Sequence, residues 1–307
     1  MVGTTQTSVR VNQLADDDLS WWARSLRAQL RTAAGPEQVD EARMAAFVHD
    51  GIVADGGTMD TRAVHEAGLP VAACRVSECL HPLTLRRDLR VEGLCAAPAG
   101  AAALLDTLPH DLEVRVELPL LGTAQALQPT LRQLGFRPEV LLVRRPTDGL
   151  RPAPDWQIRA ATAQDTDFLY DCLAAAVRNG LNGTSAQVDI DDWIRTRYAR
   201  LLHPGVTCVI AELDGRPVGH GYVTAGPDRY GRGPCGFLHD VFVLPAAKGL
   251  GCAHALTGAL GGRLSAGGVP VLEGEVIMTG GDKTALRGGL RAAGWREDRM
   301  RWLRPAQ

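Results

Sequence analysis

Lysine is almost missing from this chain of 307 residues: of 33 basic residues only Lys248 and Lys283 are lysine, and the others are arginine. Nor is there an excess of one charge sign. The formal net charge is −2, so the sequence offers no basic field to nucleic acid or to an anionic membrane. No apolar run approaches the roughly 18 residues that signal a bilayer span. The polar start, MVGTTQTSVRV, lacks the apolar stretch of a secretion signal. A cytoplasmic protein without a membrane partner is the expectation. Seven cysteines, an odd and scattered set with no C-x-x-C, suit reduced, buried thiols rather than a disulfide framework, and no metal is expected. Aromatic residues make up just 5%, yet a hydrophobic content of 45% is ample for buried cores. The length predicts about two domains.

What is present is concentrated between Phe237 and Gly268. FLHDVFVLP reads as a strand, AAKGLGCA as a glycine-bearing turn, and the residues beyond as a helix with Leu256, Leu260 and Leu264 on one face. A strand leading through glycines into a helix start is suited to phosphate. The first N–H groups of a helix, here expected at Leu250, Gly251, Cys252 and Ala253, lack partners, and the helix dipole favours an anion there. Gly249 and Gly251 let the backbone approach closely, and Lys248 adds a point charge. The same string passes as a dinucleotide fingerprint, with Glu273 at a suitable distance. Against that stand His239 and Asp240 in a strand that would need to be apolar on both faces, and only 56 residues after Gly251.

Lys248-Gly249-Leu250-Gly251-Cys252-Ala253, after Val243-Leu244-Pro245, resembles the acyl-CoA loop of the GNAT N-acetyltransferase superfamily, with Lys for its usual Gln or Arg. From Asp155 to Pro305 the expected order of elements is also similar to that family. The resemblance implies a bent, mixed α/β (α+β) sheet whose fourth and fifth strands splay. Pantetheine would lie in the gap against main-chain groups of Val241, Phe242 and Val243, with acetyl-CoA or another acyl-CoA as co-substrate.

The first half repeats the second. RAVHEAGLPVAACRV (62–76) aligns with VIAELDGRPVGHGYV (209–223) at an offset of 147, which also places Pro98 on Pro245 and Glu92 on His239. LRQLGFR (131–137) matches LRAAGWR (290–296) at 159, so the first copy has lost about three helical turns near the phosphate loop. Where the second copy has Lys248–Gly251, the first has Ala101-Ala102-Ala103-Leu104. The reading is two tandem GNAT-like domains: 1–146, degenerate and without the cofactor loop; a Pro-containing linker, 147–154; and 155–307, binding acyl-CoA. A helix is expected over Gln38–Val48 in the first half.

For the chemistry, an amine acceptor must lose a proton. His239, six residues before Pro245 where GNAT relatives often carry Glu, is the favoured base, since an unperturbed histidine titrates near 6.5. Strand alternation sends Asp240 to the opposite face. Glu275, expected on the strand Val269–Met278, is a second candidate reaching the groove directly or through water. Glu273 shares its face, and a solvated strand edge accounts for both as well. The family's tyrosine acid falls on Leu290 and its asparagine on Lys283. The acceptor site is expected between two helices in Leu169–Leu202, near Asn179–Gln187. Asp189, Asp191 and Asp192 there attract a cation or simply cap a helix. Glu92 and Arg90 of the first half could close the groove from the other side.

The expected function is N-acetyl transfer from acetyl-CoA to the primary amine of a small molecule in a ternary complex. The alternatives are a non-catalytic tandem module that senses acyl-CoA and, more weakly, an NAD-dependent oxidoreductase. No nucleic-acid partner is expected, and a homodimer is left open.

Overall fold

The structure is a computed structural model. It describes the whole chain apart from residues 1–6, 12–13, 35–58, 81–84, 121, 152, 154, 182–187, 204, 229 and 280–282. The helix expected over Gln38–Val48, and most of the loop within Asn179–Gln187, lie outside the described residues.

Among the described residues, twelve strands form one sheet. In chain order they are β1 (Thr7–Val11), β2 (Met59–Glu66), β3 (Leu69–Leu80), β4 (Arg87–Ala96), β5 (Glu113–Pro119), β6 (Arg137–Pro146), β7 (Gln157–Ala160), β8 (Val206–Leu213), β9 (Arg216–Pro227), β10 (Pro234–Val243), β11 (Val271–Ile277) and β12 (Arg296–Arg304). The described helices are α1 (Asp16–Ala34), α2 (Pro98–Asp106), α3 (Gln128–Gln133), α4 (Thr166–Leu181), α5 (Ile190–Leu201), α6 (Cys252–Ala266) and α7 (Thr284–Ala292).

Across the sheet the order is β1-β2-β3-β4-β5-β12-β6-β11-β10-β9-β8-β7. Each half contributes its closing strand to the other: β12 pairs with β5, β6 pairs with β11, and β6 and β12 meet in the middle. All pairings among the described strands are antiparallel except β4 with β5 and β10 with β11. The segment expected to be a plain linker is docked. Thr147 donates its N–H to Pro270 O at 2.9 Å and its hydroxyl to Val269 O at 2.6 Å. Leu150 is buried against α6, where a Cβ on Gly261 would lie 2.2 Å from its Cδ1.

The repeat is carried into three dimensions. The bounds of β2, β3 and β4 fall on those of β8, β9 and β10 with the single offset of 147. Both LRxxGF/W motifs end their helices alike: Gly135 and Gly294 sit at φ +82 and +84, and the N–H groups of Phe136 and Trp295 reach back to Leu131 O and Leu290 O, each at 2.9 Å. The deletion is divided differently from the expected three helical turns. Helix α2 has 9 residues against 15 in α6, and it starts at Pro98 itself, whereas α6 starts after the loop that follows Pro245.

One face of the C-terminal half packs on α6. Leu256, Leu260 and Leu264 are buried, as their spacing predicts. The sheet receives them with glycines: a Cβ on Gly219 would meet Leu256 Cδ1 at 3.2 Å, on Gly221 Leu260 Cδ1 at 3.1 Å, and on Gly236 Leu264 Cδ1 at 2.3 Å. Gly219, Gly221 and Gly236 set the helix-to-sheet distance because bulkier residues would hold α6 off. The opposite face is covered by α4 and α5 through Leu169, Leu173, Ala174 and Ile194, and in the N-terminal half by α1 through Trp22, Leu26 and Leu30.

Candidate active site

Strands β10 and β11 pair for four residues only, Cys235↔Val271 to Leu238↔Gly274, and then part. β10 continues to Val243, held on its other side by β9 through Val241↔Gly221, Phe242↔His220 and Val243↔Gly219. From His239 to Val243, no described strand pairs with the edge of β10 that faces the gap. The N–H of Leu244 points to β9, donating to Val218 O at 2.8 Å. By alternation the main-chain groups of Val243 and Val241 point to the gap, and those of Phe242 point to His220 on β9. Phe242 therefore lines this strand without offering its backbone to the gap. N-terminal strands β4 and β5 part in the same way after Asp88–Val91.

At the end of β10 the chain makes a short 3-10 turn, Pro245–Ala247, and then the glycine turn. Gly249 and Gly251 have φ of +80 and +83, a region that a side chain disfavours. Gly251 is the N-cap of α6. The first intrahelical bond runs from Ala255 N to Gly251 O, and no described group accepts from the N–H groups of Gly251, Cys252, Ala253 or His254. Leu250 differs from expectation, since its N–H is turned back to Ala247 O at 3.4 Å. Trp156 pins the same residue from β7's side, its Nε1 donating to Leu250 O at 3.2 Å. Lys248, Gly249 and Leu250 are all exposed. A preorganised row of N–H donors with a lysine at its rim fits a diphosphate.

Cys252 is not a nucleophile here: it is buried, and burial pushes its thiol pKa up. All seven cysteines are free, and burial raises Cys74, Cys172, Cys208 and Cys235 to about 12.

The N-terminal counterpart differs at each of these points. Its helix begins at once, with Ala97 as cap and Pro98, which has no N–H, in the first turn. Gly100 is pressed on β3, where a Cβ would lie 3.1 Å from Val71 O. There is no glycine turn and no lysine.

His239 is exposed on β10, and its Nε2 is hydrogen-bonded to Thr224 Oγ1 at 2.7 Å. Its ring stacks on Tyr222, with centroids 5.2 Å apart. Asp240 does not take the opposite face. A β-bulge falls between Leu238 and Asp240, so Leu238 opposes Val223 while Asp240 opposes Tyr222. The extra residue resets the alternation, and His239 and Asp240 share a face. Asp240 Oδ2 lies 3.3 Å from Nε2 of the fully buried His220, near enough for an ion pair but outside hydrogen-bond geometry. Apolar Leu238, Val241 and Val243, spaced three and then two, carried the signal for the bulge. Thr224 and Trp156 gave no local signal, because each meets the site across the sheet.

The two glutamates separate. Both lie on a central strand, not a solvated edge. Glu273 is buried in a charged cluster, bonded to Arg299 Nη2. Glu275 is exposed and accepts from Arg301 Nη2 at 2.8 Å. Leu290 packs against the core from α7, so the position of the family's acid holds an aliphatic side chain. Lys283 starts α7, with Arg287 N donating to its carbonyl at 2.9 Å. Asp189 caps α5, its Oδ1 accepting from the N–H groups of Asp191 and Asp192 at 2.9 and 3.2 Å. Asp191 lies 3.6 Å from Arg178. Glu92 and Arg90 do not reach this groove: β5, β12, β6 and β11 stand between β4 and β10, about 24 Å at ordinary strand spacing.

Among the described residues no helix is long and apolar enough to cross a membrane. Residues 174–268 match the model of the acetyltransferase (GNAT) family. No curated protein sequence matches the chain. Among solved structures, a tandem GNAT protein from the clavulanic acid biosynthesis pathway is 16% identical, with 98% of this chain and 99% of that one covered and a TM-score of 0.52. A GCN5-related N-acetyltransferase from Sphaerobacter thermophilus is 17% identical over 97% of both chains, with a TM-score of 0.55. The glucosamine N-acetyltransferase region of a fungal multi-domain GH3 β-N-acetylglucosaminidase gives 11% and 0.56; this chain is 98% covered but spans only 38% of that one. Residues 174–268 thus resemble the acetyltransferase (GNAT) family in sequence, in a chain that has the tandem GNAT fold.

Proposed function

We propose that the C-terminal half is an N-acyltransferase, passing an acetyl or related acyl group from acyl-CoA to the primary amine of a small molecule in one ternary complex. The observation that carries this reading is continuity. The open edge of β10 runs directly into the Gly249–Gly251 turn and the unpaired N–H groups of α6. Lys248 and the N–H groups from Gly251 to His254 would hold the diphosphate, and Val241 and Val243 the pantetheine amides, as an added strand. The acyl-CoA supplies a thioester carbonyl activated toward amines. The N–H of Val243 would face the charge growing on that oxygen. His239, steadied by Thr224 and Tyr222, would take the proton that an alkylammonium must lose near neutral pH. Glu275 is less suited to that role, since Arg301 occupies its carboxylate.

Leu290 favours a second reading, a module that binds acyl-CoA without turnover, because no side chain from that position can protonate a departing thiolate. The nicotinamide alternative loses its basis: a doubly wound fold needs a largely parallel sheet, and among the described strands two pairings alone are parallel. A thermal-shift comparison should show stabilisation by acetyl-CoA and none by NAD. Release of free CoA across a panel of primary amines then separates transferase from sensor, and silence across the whole panel would leave only the sensor.

A further inference from the structure

The N-terminal half kept the parting of its fourth and fifth strands but not the phosphate loop, and the described residues leave the space beside that parting open. A cavity of about 640 Å³ lies between α1 and the ends of β3 and β4 where α2 begins. Its wall includes Trp21, Ala28 and Gln29 from α1 and Cys95, Ala96 and Ala97 at the end of β4. The size is that of a small-molecule site, for which roughly 300–1,000 Å³ is usual.

Two comparisons within the chain say what fits. At the offset of 147 that relates β4 to β10, Cys95, Ala96 and Ala97 fall on Phe242, Val243 and Leu244. The N-terminal half is hollow where its twin carries larger side chains. The wall is also nearly neutral: no charged side chain is among its lining residues, and Gln29, itself buried, accepts from Cys95 Sγ at 3.2 Å. A phosphate has nothing to meet it, since Pro98 opens α2 without an N–H and the glycine turn is missing. An anion would lose its hydration there without a partner, whereas an apolar body gains by burial.

We propose that this cavity is a second ligand site, for an uncharged, largely apolar small molecule without phosphate groups, separate from the acyl-CoA groove of the other half. The inference does not depend on the C-terminal half being active.

The neutral fluorophore N-phenyl-1-naphthylamine, titrated into the full chain, is the probe. One saturable site per chain is expected, unaffected by excess acetyl-CoA and unaffected by Gly251→Glu. Ala28→Phe, at an exposed helix position, and the double change Ala96→Val with Ala97→Leu, which installs the twin's own residues, should each weaken the dye about tenfold or more, as loss of the packing contacts of a few methylenes implies. Trp21→Phe should lower energy transfer to the dye measured at saturation, a readout that does not require filling the cavity. Absence of saturable binding, as when other residues of this chain occupy the space, overturns the proposal. So does binding that survives both fillings, or binding that acetyl-CoA or Gly251→Glu removes.

Discussion

Arg299 Nη1 donates to Glu117 Oε1 at 2.6 Å, joining residues 182 positions apart and tying the last strand of the chain to the fifth. Both side chains are buried. The bond belongs to a network at the strand exchange, in which Arg232 donates to Asp298 at 2.9 and 3.0 Å and to Asp228 at 2.9 Å, and Arg299 also reaches Asp298 at 2.8 Å. Removing one member of a buried ion pair leaves an uncompensated charge, at a cost of about 3–5 kcal/mol. Glu117→Ala should therefore lower stability by that order in urea unfolding. Glu117→Leu combined with Arg299→Met should cost less than the sum of the single changes.

The same network sets an acid limit. Burial by itself would raise the Asp228 pKa, but Arg232 and Arg299 outweigh it and hold the carboxyl at about 2. Asp165 is held at about 2 first by its hydrogen bonds from Arg159, at 2.6 and 2.7 Å. Both folded values lie below the ordinary aspartate value of 3.8. Such groups stabilise the fold fully above the unfolded pKa, and the contribution is lost as pH falls from there through about 2. Melting temperature should drop across that window, and Asp165→Asn should flatten the drop.

Gly251 at φ +83 caps α6, and the main chain on either side is proposed to meet a diphosphate. Gly251→Glu places a side chain and a negative charge there. Acetyl-CoA binding by calorimetry should be lost, while the circular dichroism spectrum stays that of the wild type. Unchanged affinity would remove the loop from the site.

His239→Ala should reduce turnover with a responsive amine by about 100-fold or more, the usual range for a general base, and abolish the acidic limb of the rate profile. A milder loss is expected for Thr224→Val, whose partner keeps its ring but loses its fixed hydrogen bond. If His239→Ala is as fast as wild type, the base lies elsewhere.

Gly261→Ala tests the docked segment. Its Cβ would fall 2.2 Å from Leu150 Cδ1 and 2.9 Å from Leu150 Cβ, so Leu150 must move. Overpacking of this kind costs about 1–3 kcal/mol, and Leu150→Ala in the same chain should recover part of it.

The sequence by itself determined the elements and their duplication. Leucines four apart, glycines before a helix start and LRxxGF/W ends are local patterns, and each acts through its own few residues: a buried stripe, a left-handed turn, a helix cap. For the same reason the offset of 147 could be read in advance and matched to strand bounds. Tertiary structure decided what depends on meeting across the sheet. The bulge at His239 turned Asp240 to His220, Thr224 arrived from the neighbouring strand, and the exchange of β6 and β12 put Glu273 under Arg299 instead of at an edge. A strand's register, and therefore the company each side chain keeps, is fixed by the partner strand, which for Arg299 brings a residue 182 positions away.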